Sequence, residues 1–507
     1  MLEEHFDVVV VGAGISGIDA AYHLQKNCPG RSFVLLERRE RIGGTWDLFR
    51  YPGIRSDSDM YTLGYSFRPW TDPKAIADGP SILRYLEGTV RDHDIGRRIQ
   101  FGLQVKSASW SSIEARWTVE AAETATGEAR RFTCAFLFMC SGYYDYDSGY
   151  TPDFPGRERF QGRVVHPQQW SDDIAYADKR VVVIGSGATA VTLVPEMAKT
   201  AAHVTMLQRS PTYIVSMPAE DKLANLFRRW LPEKLAYGLT RWKRVLLGAF
   251  FFWMSRRNPA GTKARLIDLM RKELGPDYDV GKHFTPSYNP WQQRVCLAPD
   301  GNFFAAIRSQ RATIVTDHIE SLTETGIRLR SGEELEADLI VTATGLQMNA
   351  LGGLRLEVDG ALVQVSDTLT YKGMMFSGVP NLAHAVGYTN ASWTLKCDLT
   401  CEWVCRLLNH MTAKGFDQCR PSPTDPAADP LPFFDFNSGY IQRGIGLFPK
   451  QGPKAPWRSV QNYLSDVWTV GWNPIEDGEL RFSRHSDAAA SHEDVSGATQ
   501  AAMRATG

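Results

Sequence analysis

The sequence predicts an α/β protein made of two Rossmann-like dinucleotide-binding domains with a helical insertion. Three observations predict it. An apolar run followed at once by a glycine-rich turn occurs twice, at Asp7–Val11 and at Arg180–Ile184. The strand after each copy closes on a charged residue, Glu37 in the first and Arg209 in the second. The second copy is interrupted by residues 217–285, which are helical in pattern and basic.

The first copy reads Asp7–Val11, then Gly12-x-Gly14-x-x-Gly17. A short apolar run without alternation suits a strand buried on both faces of a parallel sheet. The first glycine permits the tight turn, the second lets the backbone approach a pyrophosphate, and the third allows close helix–strand packing. Free N–H groups at the helix start then bind phosphate. Glu37 closes the next strand, 25 residues beyond Gly12. A carboxylate there accepts from ribose hydroxyls and repels a 2′-phosphate, so the site suits FAD or NAD.

The second copy opens Gly185-x-Gly187-x-x-Ala190 after Arg180–Ile184. Its following strand, His203–Gln208, ends in Arg209, 24 residues beyond Gly185. A guanidinium can grip a 2′-phosphate through paired hydrogen bonds, and Ser210 adds a hydroxyl. The bland alternative is an ordinary surface charge. Two dinucleotides in one chain imply hydride transfer from NADPH to bound flavin, which then does the harder chemistry.

Four other segments complete the division. Phe136–Gly142 and Leu339–Gly345 are apolar strands ending in glycine, each expected to carry the chain from one domain to the other. The Tyr-, Asp- and Pro-rich stretch 143–155 reads as a linker. Expected bounds are 1–145 with 377–483 for the first domain, 150–216 with 286–376 for the second, 217–285 for the insert and 484–507 for a disordered tail. From 221 to 265 there are eleven Lys/Arg against Asp221 and Glu233, interleaved with Trp230, Trp242 and Phe250–Trp253. Such a segment either lies on a membrane surface or packs over the active site as a helical subdomain with a solvated basic face.

Bulk properties exclude several classes. A net charge of −1 and a pI near 6.8 give no field toward nucleic acid. The eight cysteines form no C-x-x-C pair, which argues against a zinc ribbon or a dithiol centre. Cys397, Cys401 and Cys405 share one helix face, as core side chains or as metal ligands; the first reading is preferred and no metal is expected. The N-terminus runs Met-Leu-Glu-Glu into a strand, so no secretory leader is expected. No apolar run reaches the ~18 residues of a spanning helix, and the expected location is cytoplasmic; a peripheral place at the inner face of the cell membrane follows only from the membrane reading of 217–285, the less favoured of the two.

The segment Gly43-Gly44-Thr45-Trp46-Asp47-Leu48-Phe49-Arg50-Tyr51-Pro52-Gly53-Ile54-Arg55-Ser56-Asp57 resembles the long fingerprint of Baeyer–Villiger monooxygenases at every fixed position. Phe160-x-Gly162-x-x-x-His166-x-x-x-Trp170 resembles their short fingerprint, with Ser171 where Pro or Asp is usual. A likeness to one mycobacterial branch lies in Trp46–Trp70, Ser210–Val215 and Gly387–Leu395, and covers the chain to about residue 483.

The resemblance implies an FAD domain interrupted by an NADPH domain, and an enzyme that uses O₂ to turn ketones into esters through a C4a-peroxyflavin. It implies FAD contacts from Gly12, Gly14, Ser16, Gly17, Glu37, Thr45, Trp46, Asp47, Leu48 and Asp57, and from the Val105 backbone. Arg55 and Ser56 would face the nicotinamide side. The NADPH set would be Gly185, Ser186, Gly187, Ala188, Thr189, Ala190, Val191, Arg209 and Ser210. Tyr288–Arg294 looks like the loop that carries the family's catalytic arginine, which makes Arg294 the candidate, with Asp57 orienting it or the nicotinamide. Many relatives have Lys where Gln293 stands, so Arg209 carries more of the selectivity. His166 tempts as a general base but reads better as structural. The rivals are an enzyme that oxygenates only sulfur or nitrogen, a disulfide reductase, and a non-oxygenating NADPH reductase or redox sensor. Sulfide or thioamide oxidation is also expected beside ketone oxidation.

Overall fold

The computed structural model describes residues 3–425 and 429–484. The first sheet is built around β1 (Glu3–Val11). It pairs in parallel with β2 (Phe33–Leu36) on one side. Strands β3 (Leu103–Ser111), β4 (Arg116–Glu123) and β5 (Ala129–Met139) form an antiparallel meander whose last strand joins β1 in parallel, Val8 opposite Phe136. Being central, β1 is covered on both faces: Val8, Val9 and Val10 are fully buried. This is why its sequence is continuous valine rather than alternating. Helix α1 (Ile15–Asn27) follows β1 directly.

The link out of this sheet is a strand. β6 (Tyr144–Gly149) pairs antiparallel with Leu346–Met348, so the stretch 143–155, expected as a linker, carries paired backbone. Tyr144, Tyr146 and Tyr150 recur at every second or fourth residue. That alternation is a strand signature, masked by the surrounding Asp and Pro.

The second sheet is five-stranded and wholly parallel. It contains β7 (Arg163–Val165), β8 (Arg180–Ile184), β9 (His203–Gln208), β10 (Ala312–Thr316) and β11 (Leu339–Thr342), in the order β10-β9-β8-β11-β7. Helix α2 (Ala188–Met197) follows β8. One strand departs from the expected division. Arg355–Val358 (β12), placed with the second domain from sequence, pairs in parallel with β3 at the edge of the first sheet. Apolar patterning identifies a strand but not the edge it extends.

Residues 217–285 contain α3 (Lys222–Trp230), α4 (Glu233–Arg257) and α5 (Pro259–Leu274). Arg241 of α4 is buried; its Nη1 donates to the carbonyls of Tyr61 (2.9 Å) and Gly64 (2.8 Å). These are the free carbonyls at the end of a short helix, Met60–Leu63, where a cation is favoured. Helix α6 (Trp393–Lys414) packs on α1 and buries Cys397, Cys401 and Cys405, all free thiols. His23 Nε2 lies 2.8 Å from Asp398 Oδ1 across that contact, with Asp19 alongside at 3.5 Å. Among the described residues no helix is long and apolar enough to cross a membrane. The expected tail begins at Arg484, and residues 485–507 lie outside the described residues.

Candidate functional site

Both glycine-rich turns adopt geometry that only glycine tolerates. Gly12 has φ +105°, and a Cβ there would stand 2.7 Å from the Cys140 carbonyl oxygen. A Cβ on Gly17 would fall 1.9 Å from the Gly12 carbonyl oxygen. In the second copy Gly185 has φ +134° and a Cβ there would stand 2.3 Å from the Ala343 carbonyl oxygen, whereas a Cβ on Gly187 would meet nothing within 4 Å among the described residues. Its backbone therefore stands bare before open space, as a phosphate cradle requires.

Two cavities open from these turns. The first, of about 260 Å³, is lined by Gly14, Ser16, Thr45, Trp46, Arg55, Ser56 and Asp57. The second, of about 620 Å³, is lined by Gly185, Ser186, Gly187, Ala188, Thr189, Arg209 and Ser210. Asp57, Tyr144, Ala188, Thr189, Arg294 and Leu346 line both, so the cavities share a wall.

At that wall Arg294 Nη1 donates to Asp57 Oδ2. The residues are 237 positions apart; Asp57 leaves the fingerprint loop, and Arg294 precedes the strand Cys296–Pro299, which pairs with Ile214–Met217. The Asp57 carboxylate holds the guanidinium pKa well above its ordinary value, against the opposing effect of burial. Tyr143, Tyr144 and Tyr440 surround the pair, and burial pushes all three phenols up, so they remain protonated donors. The Tyr143 and Tyr144 hydroxyls lie 2.7 Å apart. Arg55 lines the first cavity beside the pair and is anchored by Nη2, which donates to the Leu297 carbonyl at 3.1 Å. Burial raises Tyr51 to about 12 and the Cys296 thiol to about 12; neither is a base at neutral pH.

Other expected residues frame the cavities rather than line them. Ala190 and Val191 are buried in the second core. Glu37 is buried, its oxygens accepting from the Ala13 (2.7 Å) and Arg39 (2.9 Å) N–H groups. Each oxygen keeps a lone pair, and burial raises the carboxyl pKa. Asp47 is buried under Arg39, Arg41 and Arg50. Leu48 packs on the second core and Val105 at the edge of another apolar cluster. Two of the lining residues, by contrast, are tied to backbone: Ser56 donates to the Ser58 carbonyl at 2.7 Å, and Ser186 to that of Ser210 at 2.9 Å. His166 lines neither cavity: Nε2 lies 3.0 Å from the Gly345 carbonyl, and its ring fills the space a Cβ on Gly149 would need.

Several residues were not found from sequence. Trp393 Nε1 donates to Ser16 Oγ at 2.8 Å and its ring stacks on Tyr143; it lies in the quoted stretch 387–395, without a role there. Arg443, in helix α7 (Gly439–Gly444), stacks 3.5 Å over the Tyr150 ring and lines the second cavity. Gln293 Nε2 donates to the Asn437 carbonyl at 3.4 Å, so this position faces the segment that brings Arg443 in.

Two glycine-rich cradles that meet at one half-enclosed ion pair define a flavoprotein oxygenase with two dinucleotide sites. Comparison places the chain within that class. Residues 6–227 match the flavin-binding monooxygenase-like family. The chain is 54% identical to the FAD-containing monooxygenase EthA of Mycobacterium tuberculosis, over 95% of this chain and 99% of that one. It is 51% identical to EthA of Mycolicibacterium smegmatis, over 96% and 99%. The chain belongs to this family and is a class B flavoprotein monooxygenase. A steroid monooxygenase bound to NADP has the same fold (TM-score 0.71, 23% identical, covering 95% of this chain and 100% of that one). So does cyclohexanone monooxygenase bound to ε-caprolactone (TM-score 0.73, 20%, covering 95% and 100%).

Proposed function

We propose that the protein binds FAD in the first cavity and NADPH in the second, and inserts one atom of O₂ beside a ketone carbonyl to give an ester. The observation that carries this reading is the Asp57–Arg294 pair on the wall common to both cavities. The cradle residues fit the two groups: a glycine turn with the buried Glu37 carboxylate at the end of the next strand for FAD, and a bare glycine turn with Arg209 for NADPH. When bound, they supply two-electron reduction and oxygen activation.

The remaining work falls to the chain. Arg294 holds a permanent cation where negative charge builds up on the substrate oxygen, the preorganised electrostatics that lowers barriers most where water is scarce. Asp57 fixes the direction of the guanidinium. Tyr143, Tyr144 and Tyr440 keep their protons and line the approach without acting as bases. Trp46, Tyr143 and Trp393 give the first cavity an apolar wall that excludes water. Gly12, Gly14, Ser16, Gly17, Glu37, Thr45, Trp46, Asp47, Leu48, Asp57 and the Val105 backbone belong to the flavin side of this reading. Arg55 and Ser56 face the nicotinamide. Gly185–Val191, Arg209 and Ser210 belong to the NADPH side. The division into 1–145 with 377–483, and 150–216 with 286–376, is part of the same reading, with 355–362 moved to the flavin side by the pairing of β12. Sulfide and thioamide sulfur are alternative acceptors at the same place.

Arg294→Ala tests it. Anaerobic reduction of the flavin by NADPH is expected to survive, and ester formation to fall to near zero. A wild-type ester yield would remove Arg294 from this role. Assaying a ketone and a sulfide in parallel separates the two acceptor classes.

A further inference from the structure

Helix α4 is inside out. Its buried face carries Tyr237, Thr240 and Arg241, while Leu235, Leu239, Trp242, Leu246, Phe250 and Trp253 stand 45–57% exposed. Their spacing of three and four residues puts them on one face of the helix, over about five turns. A water-facing helix has the opposite arrangement, and an apolar stripe of this length marks a contact surface.

The charge beside the stripe is one-sided. Residues 221–257 carry nine Lys/Arg against Asp221 and Glu233, in a chain of net charge −1. Lys243 and Arg244 are held by Asp221. Arg229, Lys234 and Arg257 have no ion-pair partner among the described residues. Two copies meeting through this face would bring like charges together. A phosphate-rich surface over an apolar interior complements both features.

The inner side of α4 reaches the reaction chamber. Val245 packs with Tyr388 and Leu395, and Tyr388 lines the first cavity. Phe252 meets Trp291, three residues before Arg294, edge-on at 5.8 Å. The helix is therefore a partition between the outer stripe and the site.

We propose that α4 lies flat in the interface of an anionic lipid bilayer, its apolar stripe in the acyl boundary and its free cations on headgroup phosphates, so that apolar ketones reach the cavity from the lipid. Docking stands on the stripe and the charge alone; ketone entry from lipid rests on the ketone-oxidising reading above.

The test is flotation of the full-length flavin-loaded protein with vesicles of phosphatidylcholine alone, or mixed with phosphatidylglycerol. The wild type is expected to float with the anionic vesicles and to be released as salt is raised to about 0.5 M. Leu246→Glu/Phe250→Glu should bind at least about tenfold more weakly. It should keep its flavin absorbance and its oxidation of NADPH with a small water-soluble ketone. Wild-type protein that stays behind with anionic vesicles overturns the proposal, as does equal flotation of the variant. A lipid-free dimer that the double substitution splits into monomers, by light scattering, also overturns it and assigns the stripe to a second copy. Flotation without ester from any ketone would leave docking standing and remove the ketone reading.

Discussion

If Asp57 acts only through Arg294, removing both should cost no more than removing Arg294. Hydrogen bonds between charged groups contribute about 1.5–3 kcal/mol. Here the two side chains are 33% and 35% exposed, so screening cuts the stability share to about 1 kcal/mol. The catalytic share is larger, because a guanidinium free to turn no longer sits preorganised. A loss of about 2.7 kcal/mol in transition-state stabilisation is ~100-fold in rate. Asp57→Ala is therefore expected to lower ester formation ~100-fold, and Asp57→Asn, which keeps an acceptor, about tenfold. Arg294→Ala should cost ~1000-fold, and the double variant the same. The coupling from that cycle is then about 2.7 kcal/mol. Rapid mixing of the reduced variants with aerated ketone, with the ester measured by mass spectrometry, reads all four. Additive losses, with the double variant near 10⁵-fold down, would refute the idea that the pair works as one unit.

Three further outcomes follow from particular residues. Arg209 flanks β9, and Arg443 lies beyond β11 on the far side of β8; Arg209→Gln should raise KM for NADPH about 10–100-fold and leave NADH unchanged. Arg443→Gln should weaken both nucleotides alike, and steady-state kinetics with each separates the roles. Both carboxylate oxygens of Asp19 are buried without a hydrogen bond among the described residues, His23 Nε2 standing 3.5 Å away, and burial holds its pKa well above the ordinary value. A raised carboxyl favours the fold below the unfolded pKa of about 3.9, and that advantage is lost as pH rises through the folded value. Asp19→Asn, a neutral mimic, should then raise Tm at pH 7 and do little near pH 4, as thermal melts at both pH values would show.

The chemistry was more legible in the sequence than the packing. The glycine turns and the contrast of Glu37 with Arg209 are local patterns, each fixed by the backbone geometry a phosphate and a ribose demand. Arg294 was reached through its resemblance to a known loop; spacing alone could not have paired it with a residue 237 positions away. Arg443 escaped because nothing near it in sequence marks a nucleotide site; only folding lays α7 across the cavity. β12 was given to the wrong sheet because parallel edge pairing leaves no local mark. The aromatics of 217–285 leave both a membrane-facing and an inward-packed reading open in the sequence, and only the fold turns the stripe from Leu235 to Trp253 outward.

The ribbon of β6 and Leu346–Met348 has a mechanical consequence. Both chain crossings between the sheets run through it, hydrogen-bonded to one another, and His166 bolts one end between Gly149 and Gly345. A paired ribbon bends and twists far more easily than it slides. A rotation of one sheet against the other about this axle would leave Tyr144, which lines both cavities beside Asp57 and Arg294, at the pivot.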